Sequence, residues 1–100
     1  MDRITQITKM ENHLNEATAA VMEFAKALER FEKCQSKIKK LSDYYGSEAW
    51  FQDLEEYDSG RLPEDLKCGV LSEDAVYNVL VDNRELAIKM LELGTAIIKK

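Results

Sequence analysis

An all-α fold is predicted: a long antiparallel helical hairpin closed by two short helices and completed by dimerisation into a four-helix arrangement. Three observations predict it. Apolar residues recur at alternating steps of three and four from Ile7 to Ile38, no Gly or Pro occurs before Gly46, and the same periodicity returns after a group of turn and cap residues around Ser72. A single domain of 100 residues follows, divided into a heptad helix over 1–43, an acidic and aromatic cap over 44–71 and a C-terminal helix over 72–99.

In the first helix Ile7, Leu14, Val21 and Leu28 occupy heptad a positions and Met10, Ala17, Phe24, Phe31 and Ile38 occupy d, with one polar interruption at Gln35. Such a helix runs from Asp2 to near Asp43, about 60 Å at 1.5 Å per residue. Asp2 faces its positive end, and Lys33, Lys37, Lys39 and Lys40 crowd its last turns. Gly46 stops it in the left-handed conformation and Ser47 caps the next helix. That helix is short, from Glu48 to Tyr57, with Trp50, Phe51, Leu54 and Tyr57 along one stripe.

Ser59 and Gly60 end the stripe, and Pro63, followed by Glu64 and Asp65, opens a brief helix or 3₁₀ turn over 63–67. Gly69 breaks it, Val70 and Leu71 turn inward, and Ser72 caps a last helix from Glu73 to Ile98. The stripe of that helix is Val76, Val79/Leu80, Asn83, Leu86/Ala87, Met90, Leu93 and Ile97. It is shorter than the first helix, so an antiparallel return reaches only to about Ala17–Val21. Ile4, Ile7, Met10 and Leu14 then overhang and form the candidate dimer interface. Gln35 and Asn83, the two amides in the seams, are placed to fix register and partner choice.

Composition bounds the function. Leu, Ile, Val and Phe make 25 of 100 residues, enough for a small core and more than a disordered chain carries. No stretch approaches the roughly 18–20 apolar residues of a membrane span, and the first residues lack the basic-then-apolar pattern of an export leader, so a cytoplasmic protein without membrane contact is expected. Cys34 and Cys68 lie far apart and His13 is the sole histidine. These residues compose neither a zinc site nor a disulfide framework, and reduced, buried thiols are expected.

A net charge of −5 speaks against direct binding to duplex DNA, which rests on Lys and Arg neutralising phosphates. The charge is unevenly placed. Residues 1–42 carry eight basic and six acidic groups and residues 66–100 five of each, whereas residues 43–65 carry eight acids against Arg61 alone. Five of the eight aromatic residues, Tyr44, Tyr45, Trp50, Phe51 and Tyr57, fall in the same stretch. Rings and carboxylates together suit a cationic or amphipathic protein partner; the alternative is a hairpin end closed by rings, its acids facing water.

The sequence shows no nucleophile with a base and no paired carboxylate motif on neighbouring helices. Asp53, Glu56, Asp58, Glu64 and Asp65 could in principle gather a hard divalent ion. Neither a catalytic residue nor a cofactor or metal ligand is assigned. His13 reads as a surface residue, Tyr77 as a core ring whose hydroxyl reaches an acid of the cap, and Arg61 as the ion-pair partner of Asp58 or Glu64.

Tyr44-Tyr45-Gly46-Ser47, Trp50, Asp53, Gly60-Arg61-Leu62-Pro63, Asp65-Leu66 and the run Gly69–Tyr77 with Asn83 together resemble a family of short bacterial proteins catalogued as a domain of unknown function. The resemblance is specific over about 43–93 and implies a bacterial or mobile-element source and an all-helical fold; it transfers no catalytic or ligand residue. Folding accounts for most of these positions: the glycines and Pro63 make turns, Ser47 and Ser72 cap, and Trp50, Leu62, Leu66, Leu71 and Tyr77 are expected in the core of the cap. Tyr44, Asp53, Asp58, Arg61 and Asp65 remain, and they are the candidate partner-binding residues.

The expected function is a noncatalytic protein–protein interaction module that forms a homodimer and presents the acidic aromatic cap to another protein. Two alternatives are a metal-dependent helical nucleotide hydrolase and an acidic mimic of nucleic acid that occupies a basic groove.

Overall fold

The computed structural model describes residues 2–99. Among the described residues it contains three α-helices, α1 (Arg3–Tyr44), α2 (Glu48–Asp58) and α3 (Glu73–Ile98), with a 3₁₀ turn at Gly69–Leu71 between the last two. No strand occurs among them. The chain divides into two compact units, Met1–Gln35 and Ser36–Lys100, and α1 runs through both.

The first unit is helix throughout from Arg3. Its start is fixed by Asp2, whose Oδ1 accepts the backbone N–H of Thr5 at 2.7 Å, satisfying one of the amides left without an intrahelical partner. That hydrogen bond also lowers the Asp2 pKa. Every residue from 2 to 30 is exposed. Ile4 is 78% accessible, Leu14 58% and Val21 69%, so the heptad seam is intact as a pattern and bare of cover along this segment.

The second unit is held at its bends. α1 ends before Gly46, which sits at φ 75°, and Ser47 Oγ accepts the Trp50 N–H at 3.2 Å to start α2. The last turn of α1 contains no basic residue. The lysines lie one turn earlier than a dipole argument requires, and Lys39 instead bridges forward to Asp43 at 3.2 Å. α2 closes with a Schellman motif: the Arg61 N–H bonds Glu56 O and the Gly60 N–H bonds Tyr57 O, both at 3.1 Å, with Gly60 at φ 71°. Ser72 Oγ accepts the Ala75 N–H at 3.1 Å, and Glu73 and Asp74 fill the first turn of α3.

The stretch 63–67 differs from expectation. It forms a single turn, closed by the Leu66 N–H on Pro63 O at 3.2 Å, and no helix. The short second element lies further on, where Gly69 begins the 3₁₀ turn instead of breaking a helix. With Gly60 and Arg61 committed to the Schellman exit and Pro63 to Leu66 closed as a turn, too little chain remains to nucleate a helix.

The core is small and sits where these bends meet. Trp50, Leu71 and Val76 are the buried apolar residues among those described. Trp50 is the hub: its indole N–H donates to Val70 O at 3.1 Å, and its ring meets Tyr45 and Phe51 edge-on at centroid distances of 5.2 and 5.1 Å. The Tyr45 hydroxyl donates to Glu73 O at 3.1 Å, tying the end of α1 to the start of α3. Two residues expected in this core lie outside it, since Tyr77 is 56% and Leu66 52% exposed. Val76 takes the inward position at the start of α3, and Tyr77, one residue on, is rotated about 100° away from it.

Along α3 the half-buried residues are Leu80, Val81, Asn83, Met90 and Gly94, whereas Val79, Leu86, Leu93 and Ile97 are exposed. No described helix is long and apolar enough to cross a membrane.

Candidate functional site

The residues singled out on the cap do not form one cluster. Tyr44 and Asp53 are brought together: Ser47 and Gly46 fold α2 back so that the Tyr44 hydroxyl donates to Asp53 Oδ2 at 2.5 Å. That hydrogen bond, then burial, then the negative charge of Asp53 push the Tyr44 phenol up to about 12. Arg61 is paired with neither Asp58 nor Glu64. Its Nε meets Glu56 Oε2 at 2.8 Å, which raises its pKa further, because the Schellman exit carries residue 61 back over the last turn of α2. Asp58 and Asp65 are exposed.

The ion pair changes the electrostatics of the cap. Arg61, the only cation of residues 43–65, is engaged within the segment, and it offsets one of eight carboxylates there. The remaining acids keep the surface negative toward any approaching partner.

Next to these groups lies an open groove of about 590 Å³. Tyr57, Leu62, Pro63 and Leu66 give its apolar wall, Glu64 an acidic one, and Cys68 and Ser72 complete it. Leu62 and Cys68 are half-buried, while Tyr57 and Leu66 are each about half exposed (51% and 52%). Phe51 adds a further exposed ring, 58% accessible, on α2. Sequence reasoning names the acids and, among the rings, Phe51 and Tyr57, but it assigns Leu62 and Leu66 to the core. A leucine after a proline turn usually points inward, and nothing in the spacing of Leu66 distinguishes the side of the turn on which it emerges.

Both thiols are free, and they are half-buried where full burial is expected from the sequence. Cys68 Sγ lies 3.5 Å from Leu66 O. His13 is exposed. Among the described residues no group of three or more His, Cys, Asp or Glu is placed to hold a metal ion.

No curated protein and no solved structure matches the chain. A family does match, and the match extends beyond the cap motifs through most of the heptad helix, so long helix and cap are parts of one unit of descent. Over residues 7–93 the chain belongs to the family described as Domain of unknown function (DUF4298).

Proposed function

We propose that this protein is a noncatalytic interaction module whose cap receives a basic, amphipathic segment of another protein. The observation that carries the reading is the groove beside α2: exposed Tyr57 and Leu66 offer apolar area, and the surrounding carboxylates are left in excess because Arg61 is already paired with Glu56. Lys or Arg of a partner gains charge-assisted contacts with Asp58, Glu64 and Asp65, while an apolar residue between them fills the groove. The Tyr44–Asp53 bond and the Trp50 hub hold α2 in place, so the surface is presented on a stiff support.

One finer part of the fold belongs to the same proposal: the N-terminal seam of α1 is covered by a second copy. The source is bacterial and the compartment cytoplasmic.

The test is a titration of the protein with a Lys- and Leu-rich amphipathic helical peptide, followed by amide chemical shifts. Changes should centre on residues 57–68, weaken with added salt and vanish in the Asp58→Lys/Asp65→Lys variant while its helicity is unchanged. Shifts spread evenly over the chain, or equal response to an acidic peptide, would remove the assignment. Competition by duplex DNA for the captured partner would favour the nucleic-acid mimic instead.

A further inference from the structure

We propose that the N-terminal part of α1, from its start to Phe31, pairs with the same segment of a second copy, antiparallel, about a twofold axis at the level of Ala19, between the Ala17 and Val21 layers of the seam. The cap reading rests on other residues and is independent of this one.

The starting point is the bare seam. From residue 2 to residue 30 every side chain is exposed, yet a helix of this length draws most of its stability from packing an apolar face. A continuous apolar stripe on this scale marks an interaction surface. A fully buried aliphatic or aromatic side chain removes about 60–120 Å² from water. The eight large seam residues from Ile4 to Phe31, mostly between 40% and 78% exposed, therefore offer roughly 300–500 Å² of apolar area per copy on that scale. At the ~65% apolar content of homodimer interfaces this amounts to roughly 900–1,600 Å² over both copies, overlapping the range of specific stable interfaces.

The seam's own sequence selects the direction. In a parallel pair each layer meets its own kind, so Ala17 faces Ala17 and leaves a gap between bulky layers, while Phe24 faces Phe24. Turned antiparallel about Ala19, Ala17 faces Val21, Leu14 faces Phe24 and Met10 faces Leu28, which levels the volume of successive layers. The flanking positions agree. Thr18 and Ala20 lie next to the axis, small enough for close approach, and the e position Glu11 is flanked by the second copy's Ala25, also an e position, so no like charges are opposed there. Antiparallel helix dipoles add a favourable term.

The experiment measures mass and direction on the full chain. Light scattering at tens of micromolar should give twice the 11.5 kDa chain mass. A nitroxide is then attached at Thr5→Cys in a Cys34→Ser/Cys68→Ser background. In the antiparallel pair position 5 stands opposite position 33, so the rise along the helix should set the two labels about 40 Å apart. A monomer overturns the pairing, and so does a separation below about 20 Å, which is the parallel arrangement of two helices in contact. Leu14→Glu should return the chain to its monomer mass. Because that charge also loosens the helix, the label distance, measured with the seam intact, decides the direction.

Discussion

The Tyr44 hydroxyl, at the last residue of α1, donates a 2.5 Å hydrogen bond to Asp53 at the middle of α2. Well separated in the chain, the two are joined only because Gly46 turns left-handed and Ser47 restarts the helix. Their bond is a measurable gauge of the α1–α2 corner.

The phenol of Tyr44 is raised to about 12, first by this hydrogen bond. The folded value lies above the unfolded one of 10, so its contribution to stability is complete below pH 10 and is lost as pH rises toward 12. In a tyrosinate absorbance titration, Tyr44 should give a late-ionising component. Asp53→Asn should move that component down toward pH 10, and Tyr44→Phe should delete it. Persistence of a late component in Tyr44→Phe would assign it elsewhere.

Trp50 is 4% exposed and joins Val70, Tyr45 and Phe51. Trp50→Ala should cost about 3–5 kcal/mol. With so few other buried residues, that loss should melt the second unit. Trp50→Phe keeps ring area but leaves Val70 O without its donor, and should cost less. Urea unfolding followed by circular dichroism separates the two, and equal midpoints would show that the indole is not the hub.

The glycines should divide by backbone angle. Gly46 and Gly60 have φ of 75° and 71°, with open space where a Cβ would stand, so Gly46→Ala and Gly60→Ala should each destabilise by about 1–2 kcal/mol through conformation alone. Gly94 lies inside α3 with equal room and no such angle. Gly94→Ala should stabilise by about 0.5–1 kcal/mol. Thermal melts of the three variants should show opposite signs.

Ser47 and Ser72 each accept the N–H three residues ahead. Ser47→Ala and Ser72→Ala should each cost about 1 kcal/mol, and Asp at either position should retain most of the stability. Hydrogen exchange of the Trp50 and Ala75 amides reads the two caps separately; unchanged exchange would mean that the hydroxyls do not cap.

Much of the fold is legible in the sequence because it is set locally. The heptad spacing, the absence of Gly and Pro before residue 46, and the pairs Gly46-Ser47, Ser59-Gly60 and Leu71-Ser72 place α1, both ends of α2 and the start of α3 to within a residue or two. The 3₁₀ turn falls elsewhere than expected because Pro63 and Gly69 are both compatible with helix start and helix stop. Competition between adjacent turns, not propensity, decides between them.

The candidate site is less legible. Its charge is visible, since a count of carboxylates needs no coordinates. Which carboxylate meets Arg61, and on which side Leu66 and Tyr77 emerge, is not.

The sequence by itself determined the elements and their ends, the acid-rich cap and the apolar seam of α1, because caps, glycine angles and periodicity act over a few residues. Only the tertiary structure decided that Tyr44 holds Asp53, that Glu56 takes Arg61, and that Tyr57 and Leu66 open into a groove. Those outcomes turn on how two bends orient neighbouring helices, and a rotation of one residue, about 100° on a helix, exchanges a buried side chain for an exposed one.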